Sequence, residues 1–334
     1  MSENHTEKEP QHTEINVRLL DNQTLDRCPS CKGEYIDRIG SLPTVYRFLD
    51  KKHCLPVNRG DLVRCRNCGL LFRNPCLSLD AMNKLYETYY SESTWEGDGD
   101  GRNDFRKIAD FICSMDITDP RILDIGCYTG SLMHFLRSSC PCGDRFQLFG
   151  IEPSRKAAAV AEKRGVKIIG RYLWDIDYVT AEKFDVIIMT DVFEHILESN
   201  RMMQTLAGAL LRKGCIIITT GAYDSIPFRM ARNKYYYAVA PEHVSFLTKE
   251  HAMWLAQTNG FSMDYVLIRH NLKKQSTFKM AVISLVSLVL NLFPSQMFGI
   301  NLPVSGKFAE LKGRGIQNIC NYPDHVMAVF RRVL

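Results

Sequence analysis

Short continuous apolar runs alternate along residues 103–269 with longer segments in which apolar residues recur every third or fourth position. A continuous apolar run is typical of a strand buried on both faces, whereas the wider spacing is typical of a helix with one buried side. The runs predict strands at 121–126, 146–152, 166–169, 184–190 and 215–220. The spaced segments predict helices at 103–115, 131–139, 154–164, 199–211 and 249–259. This alternation predicts an α/β fold with a parallel sheet and crossover helices.

The turn after the first of these strands contains two glycines. The apolar strand reaches Asp124, passes Gly126 and Gly130, and enters a helix. Glycine lets the backbone approach a ligand with no Cβ in the way. The next strand also ends in a carboxylate, Glu152, which can accept hydrogen bonds from both hydroxyls of a ribose. The glycine spacing matches neither the dinucleotide fingerprint nor the phosphate loop. The sequence therefore predicts an adenosine site at the carboxyl edge of the sheet.

At these residues the chain resembles the class I S-adenosylmethionine-dependent methyltransferases, whose first motif reads close to LDIGCGTG. The resemblance covers roughly residues 110–270 and includes later motifs at 184–196 and 211–218. Tyr128 stands where the family more usually has glycine. The resemblance implies a Rossmann-like, seven-stranded, mostly parallel sheet, and S-adenosylmethionine as the cofactor that carries the methyl group. It implies the following cofactor-binding residues: Asp124, Gly126, Gly130, Glu152, Trp174 and Asp191.

The individual roles of these residues differ. Asp124 and the glycine turn are expected to hold the methionine end, and Glu152 the ribose. Trp174 is a candidate to face the adenine, with a place in the apolar core as the open alternative. Asp191 ends the fourth strand and borders the pocket near the sulfonium, where a carboxylate is electrostatically favourable.

Two C-x-x-C pairs near the amino terminus predict a metal site. The four thiols belong to Cys28, Cys31, Cys65 and Cys68. Each pair forms a tight turn that aims two thiolates at one ion, and two such knuckles complete the tetrahedron that Zn²⁺ prefers. Because four thiolates leave no open position, this zinc is expected to be structural. His53, Cys54 and Cys76 are open alternatives as ligands.

A zinc ribbon before a methyltransferase core resembles the sugar C-methyltransferases of deoxysugar pathways and the methyltransferases of polysaccharide clusters. The resemblance favours a sugar, nucleotide-sugar or other small polar acceptor, including a lipid-linked one. An RNA methyltransferase and a non-catalytic S-adenosylmethionine-binding protein are the open alternatives. The predicted organisation is a flexible tail at 1–26, a zinc ribbon at 27–78, a helical linker at 79–110, and a methyltransferase domain at 111–334. Strands at 261–269 and 325–333 would complete the sheet on either side of an insertion at about 270–324.

Two histidines are candidates for a catalytic base. His195 follows Glu194 at the opening of a predicted helix, and His243 lies in the loop after the fifth strand, beside the expected acceptor space. A histidine whose pKa lies near neutrality is suited to removing a proton from the acceptor. An architectural His195 and a hydrogen-bonded loop His243 are the alternatives. Tyr235–Tyr237 are expected either to line the acceptor site or to pack in the core.

The basic residues are concentrated near the carboxyl terminus. Residues 271–334 carry eight Lys or Arg residues against Glu310 and Asp324, although the whole chain has a net charge of only +5. This excess suggests an anionic acceptor, a membrane surface, or a solvated basic face. The apolar run within 279–300 is shorter than the roughly 20 residues that a spanning helix needs. We expect it to make a peripheral membrane contact or to form a buried lid or a dimer face.

The amino-terminal residues 1–20 lack the apolar region of a secretory signal. Twelve cysteines in such a chain are expected to be reduced thiols and metal ligands rather than disulfides. We therefore expect a cytoplasmic protein, peripheral to the inner face of a membrane if residues 279–300 contact one. Oligomeric state is left open by the sequence.

Overall fold

The computed structural model describes residues 22–42, 45–48, 53–56, 60–83, 102–174, 183–269 and 323–333. Within them the strands are β1 (Asn22–Gln23), β2 (Ile36–Ser41), β3 (Val45–Phe48), β4 (His53–Pro56), β5 (Asp61–Cys65), β6 (Leu71–Asn74), β7 (Cys76–Leu77), β8 (Arg121–Ile125), β9 (Gln147–Ile151), β10 (Lys167–Gly170), β11 (Phe184–Thr190), β12 (Leu210–Gly221), β13 (Ser245–Phe246), β14 (Phe261–Ile268) and β15 (His325–Arg332). The helices are α1 (Asn103–Cys113), α2 (Ser131–Ser139), α3 (Arg155–Lys163), α4 (Ser199–Ala209), α5 (Ile226–Ala231), α6 (Tyr236–Val239) and α7 (Lys249–Asn259).

The central sheet has seven strands in the order β10-β9-β8-β11-β12-β15-β14. The pairs from β10 to β12 are parallel, and β15 is antiparallel to both β12 and β14. This arrangement confirms the predicted Rossmann-like, seven-stranded, mostly parallel sheet. β14 and β15, which flank the long insertion in the sequence, are neighbours at one edge, as expected.

Two apolar layers cover the two faces of this sheet. Along β11, Ile187 and Met189 belong to the layer that includes the buried residues of α4 and α7. Val186 and Ile188 belong to the layer that includes the buried residues of α1 and α2. Successive side chains of a strand point to opposite faces, so a strand covered on both sides must be apolar throughout. This burial explains the continuous apolar runs of the sequence.

The local signals for helix ends hold at most boundaries. α7 begins after Thr248, whose side chain accepts a hydrogen bond from the N–H of His251, and it ends at Gly260 with a φ of 73°. The helix predicted to reach residue 211 ends at Ala209, because Leu210 is extended and already begins β12. His195 lies in a single 3₁₀ turn before α4 rather than at the opening of that helix.

The cysteine-rich segment contributes to a second sheet with the strand order β13-β6-β5-β2. β13 comes from the loop after β12, and its Ser245 pairs with Phe72 of β6. Leu62 and Leu71 also share an apolar cluster with Tyr223 and Phe246. The segment predicted as a ribbon therefore shares both a sheet and a core with that loop.

Several predictions concern segments outside the described residues. These are the tail at 1–21, most of the predicted linker, and the insertion that contains 279–300. Among the residues that are described, no helix is long and apolar enough to cross a membrane.

One expectation about the cysteines is wrong. Cys113, at the end of α1, and Cys140, just after α2, form a disulfide with their Cα atoms 5.8 Å apart. The sequence did not indicate this pair, because the two thiols meet only when α1 and α2 pack beside each other. Cys140 therefore has a structural role, as half of this disulfide. The other described cysteines are free thiols.

Candidate active site and thiol cluster

The turn between β8 and α2 requires glycine at two positions. Gly126 and Gly130 have φ values of 72° and 74°, in the left-handed region that side chains disfavour. A Cβ on Gly126 would lie 2.6 Å from Cγ2 of Val192, so no larger residue fits there. Tyr128 also adopts a positive φ, of 48°. The backbone at Tyr128 therefore keeps the conformation expected of the glycine more usual in this motif.

Glu152 is bound to this turn through the backbone. It follows β9 and is buried, and its Oε2 accepts a hydrogen bond of 2.8 Å from the N–H of Tyr128. Its Oε1 accepts one of 2.8 Å from the N–H of Ser154. Burial raises the pKa of Glu152, and the two backbone hydrogen bonds oppose that rise. Each carboxylate oxygen keeps a second lone pair, which is what a ribose hydroxyl needs.

Asp124 is buried near the carboxyl end of β8, just before the same turn. Burial, and next the charge of Glu152, raise the pKa of Asp124 to about 8, while the charge of Arg102 opposes the rise. The two carboxyls that the sequence predicted for the cofactor therefore belong to one electrostatic site at the carboxyl edge of β8 and β9. A cationic sulfonium is the kind of ligand that such a site favours.

Asp191 is the centre of a polar network at the end of β11. Nη2 of Arg102 donates to its Oδ2 at 2.8 Å, and the hydroxyl of Tyr237 donates to its Oδ1 at 2.9 Å. Nε2 of His325 lies 3.5 Å from the same Oδ1. Sequence reasoning missed Arg102 and His325, because each lies far from Asp191 along the chain and neither belongs to a motif.

Glu194 is fully buried next to Asp191. Its Oε2 accepts a hydrogen bond of 2.8 Å from Thr220. Its Oε1 also contacts the hydroxyl of Tyr237, whose single proton is shared between Glu194 and Asp191. Burial, and next the charge of Asp191, raise the pKa of Glu194 to about 7. Tyr237, which the sequence placed either in the acceptor site or in the core, thus connects the two carboxyls at the end of β11.

The two predicted base candidates lie side by side. Nδ1 of His195 donates to the carbonyl oxygen of Glu242 at 3.0 Å, and Nδ1 of His243 donates to that of Tyr237 at 2.6 Å. Their ring centroids are 5.0 Å apart. Burial lowers the pKa of both histidines, so both imidazoles are neutral at neutral pH with the lone pair on Nε2. Their catalytic role stays a prediction.

Trp174 follows β10 and packs, partly buried, against the apolar layer on the α4 and α7 side of the sheet. Cζ of Arg201 lies 4.8 Å from the centroid of one of its rings. The predicted contact of Trp174 with the adenine stays a prediction.

The four predicted thiols come together in one cluster. Sγ of Cys28 lies 3.6 Å from that of Cys68, and Sγ of Cys31 lies 3.5 Å from that of Cys65. All four sulfurs lie within 4.8 Å of one another. With Zn–S bonds of about 2.3 Å in a tetrahedron, sulfur atoms are expected about 3.8 Å apart. The donor set and its spacing therefore fit Zn²⁺. Cys76 does not belong to the cluster, and the side chains of His53 and Cys54 lie outside the description.

The two knuckles have the same backbone form. Lys32 and Gly69 each follow the second cysteine of a pair and have φ values of 61° and 72°. The N–H of Gly33 lies 3.4 Å from Sγ of Cys31. In the sequence, glycine marks this left-handed position only in the second knuckle, at Gly69, whereas Lys32 gives no such signal.

A buried chain of hydrogen bonds connects this cluster to the methyltransferase core. Nδ1 of His251, on α7, lies 3.0 Å from the carbonyl oxygen of Cys68, and its Nε2 lies 2.9 Å from Oγ of Ser199 on α4. Oγ of Ser199 in turn lies 2.9 Å from Oγ of Ser30, between the first two cysteines. Burial lowers the pKa of His251 to about 4, so it is neutral and acts as a structural link.

The comparisons with known proteins agree with this geometry. A family model described as a methyltransferase domain matches residues 100–266, which is half of the chain. The chain therefore belongs to the methyltransferase-domain family. No protein with a curated function matches the sequence.

Several solved structures are similar to this chain at low sequence identity. The plantazolicin methyltransferase BpumL in complex with SAH is 16% identical, with a TM-score of 0.42 over 69% of this chain and 82% of that chain. An S-adenosylmethionine-dependent methyltransferase from Archaeoglobus fulgidus is 12% identical, with a TM-score of 0.43 over 69% of this chain and 93% of that chain. A Thermotoga maritima protein, described as a possible histamine N-methyltransferase, is 15% identical, with a TM-score of 0.40 over 69% of this chain and 89% of that chain.

Proposed function

We propose that this enzyme methylates a small polar acceptor of the sugar or nucleotide-sugar class, including a lipid-linked one. The observation that supports this proposal is the pair His195 and His243, which form a polar cluster with Glu194 just after the carboxyl end of β11. A cluster of neutral imidazoles and a carboxylate suits an acceptor that carries several hydroxyl groups. The sheet shared by β13 and the cysteine-rich strands fixes the loop that carries His243.

S-adenosylmethionine, when bound, supplies an electrophilic methyl group on a sulfonium. Glu152 would accept the ribose hydroxyls, and the glycine turn would admit the methionine end close to the backbone. Arg102, which is paired with Asp191 and whose charge acts on Asp124, would hold the methionine carboxylate. His243 would hold a proton of the acceptor at Nε2, because its Nδ1–H is committed to the carbonyl of Tyr237.

The thiol cluster would hold a structural Zn²⁺ through Cys28, Cys31, Cys65 and Cys68. The ion would join two knuckles, and the chain from Cys68 through His251 to Ser199 would fix them against α7 and α4. Metal analysis of the purified protein is expected to find one zinc in this cluster. The Cys65→Ser variant is expected to lose that zinc together with most of its folded protein.

Cofactor binding is tested by calorimetry with S-adenosylmethionine. Glu152→Ala removes the predicted ribose acceptor and is expected to weaken binding at least about 10-fold, since hydrogen bonds to a charged group contribute about 1.5–3 kcal/mol. Glu162→Ala, an exposed residue of α3, is the matched control and is expected to bind like the wild type. Equal affinities in all three proteins would contradict the assignment of Glu152.

The acceptor class is tested by transfer of a labelled methyl group into fractionated cell extract. Label in a nucleotide-sugar or glycolipid fraction would support the proposal, whereas label in RNA would support the alternative acceptor. His243→Gln is expected to abolish turnover and to leave S-adenosylmethionine affinity unchanged. Turnover near that of the wild type would remove His243 as the group that acts on the acceptor.

We also propose that residues 279–300 make a peripheral membrane contact. Their apolar run and the lysines on both sides support this proposal. Flotation with anionic liposomes, with and without these residues, tests it. Equal recovery of both proteins in the unbound fraction would contradict it.

A further inference from the structure

Glu194, His195 and His243 form a second cluster of metal-ligand atoms, apart from the thiol cluster. One ligand atom of each residue lies within 4.8 Å of those of the other two. Two imidazole nitrogens and one carboxylate oxygen are a donor set that Zn²⁺ and Fe²⁺ use in sites with open coordination positions. The sequence did not predict this set, because Glu194 and His195 lie on a different segment from His243.

Both histidines are held in the tautomer that a metal ligand requires. Their Nδ1–H groups donate to the carbonyl oxygens of Glu242 and Tyr237, which leaves the lone pair of each ring on Nε2. Histidines that ligate a metal almost always donate their other N–H in this way, and the hydrogen bond fixes the ring. Two imidazoles that share one ion at about 2.0–2.1 Å hold their ring centres about 4.5–5.2 Å apart. The observed separation is 5.0 Å.

The carboxylate side of the cluster is equally fixed. Thr220 donates to Oε2 of Glu194, the hydroxyl of Tyr237 contacts Oε1, and each oxygen keeps a second lone pair. Glu242 is also buried, and its Oε2 has no hydrogen-bond partner among the described residues. The backbone carbonyl of Glu242 accepts the hydrogen bond from Nδ1 of His195, so Glu242 borders the cluster. A water molecule bound to an ion is the kind of donor that such an oxygen lacks.

We propose that Glu194, His195 and His243 bind one divalent transition-metal ion whose remaining positions are open to water or to an oxygen of the methyl acceptor. The geometry of the three residues supports the binding of the ion, whereas the contact with the acceptor rests on the proposed function. An ion in this place would acidify a bound hydroxyl, as metal ions do with bound water. With the ion bound, Nε2 of His243 would be a ligand in place of a proton acceptor, and the proton of the bound hydroxyl would pass to solvent water.

The test is a titration of the zinc-loaded protein with Co²⁺, followed by the visible absorption of the cobalt and by metal analysis. We expect one Co²⁺ per chain in addition to the zinc, without the intense thiolate-to-cobalt band. His195→Gln and His243→Gln are each expected to weaken Co²⁺ binding at least about 100-fold, since loss of an outer partner alone costs about 10–100-fold. His134→Gln, at an exposed position of α2, is the matched control and is expected to bind Co²⁺ like the wild type.

Retention of one zinc and of S-adenosylmethionine affinity shows that a variant is folded. The proposal is overturned if the wild type takes up no cobalt beyond the thiol cluster, or if folded His195→Gln and His243→Gln bind it as tightly as the wild type. Glu194→Gln provides a third ligand variant should one histidine variant lose its zinc. Methyl transfer is measured separately, so cobalt binding without transfer would count against the proposed function and not against the metal site.

Discussion

His325 lies buried between two carboxylates below the candidate active site. Its Nε2 is 3.5 Å from Oδ1 of Asp191, and its Nδ1 is 3.4 Å from Oδ1 of Asp324. Burial by itself would lower the pKa of His325, but the hydrogen bonds and charges of the two aspartates outweigh it and raise the pKa to about 10. The folded protein therefore holds a proton on His325 that the unfolded chain releases near pH 6.5.

The direction of the pH dependence follows from this difference. The stabilisation is fully present below the unfolded pKa of about 6.5 and is lost as the pH rises through about 10. One pKa unit corresponds to about 1.36 kcal/mol, so the complete loss is about 5 kcal/mol. Between pH 7 and pH 9 the expected loss is about 2–3 kcal/mol, because the folded state stays mostly protonated over this range.

The wild type and His325→Gln are compared by urea unfolding at pH 7 and pH 9, with circular dichroism as the signal. The wild type is expected to lose about 2–3 kcal/mol more unfolding free energy than the variant over this interval. His134→Gln, at an exposed position of α2, is the control and is expected to behave like the wild type. Equal losses in wild type and His325→Gln would show that the folded protein does not hold this proton, and would refute the reasoning.

Three further substitutions test other parts of the structure. Tyr128→Gly is expected to raise the free energy of unfolding by about 1–2 kcal/mol, because it removes a side chain from a left-handed backbone position; a thermal melt with no increase would contradict this. Arg73→Met is expected to cost about 3–5 kcal/mol in urea unfolding, because the buried Arg73 donates to the carbonyls of Ala238 and Ala240 and its charge compensates Glu242. A cost below about 1 kcal/mol would count against that role. Thr219→Val is expected to be neutral or stabilising by up to about 1 kcal/mol, since the buried hydroxyl of Thr219 has no partner among the described residues; a clear loss of stability would show that it has one.

The parts of the site that local chemistry imposes could be predicted from the sequence. Gly126 and Gly130 are needed because the turn itself has a positive φ at both positions. Glu152 follows directly from the end of β9, so its position was fixed once the strand was recognised. The four cysteines were recognisable because each C-x-x-C pair is a local turn, and the structure brings the two pairs together.

The contacts between distant segments could not be predicted in the same way. Arg102 reaches Asp191 only because the start of α1 lies over the carboxyl end of β11. Cys113 and Cys140 were not recognised as a pair, because their distance depends on how α1 and α2 pack. β13 was missed because two residues carry no periodicity, and it exists only through its pairing with β6.

The sequence by itself therefore determined the α/β class, the seven-stranded sheet, the family, and the residues of the two local motifs. Each of these depends on hydrophobic period, glycine conformation or cysteine spacing, which act within a few residues of the chain. Only the tertiary structure decided that His195 and His243 face each other beside Glu194, and that His325 pairs with Asp191. These interactions depend on which strand ends are neighbours in the sheet. That order is set by packing across the whole chain, and no short segment of sequence contains it.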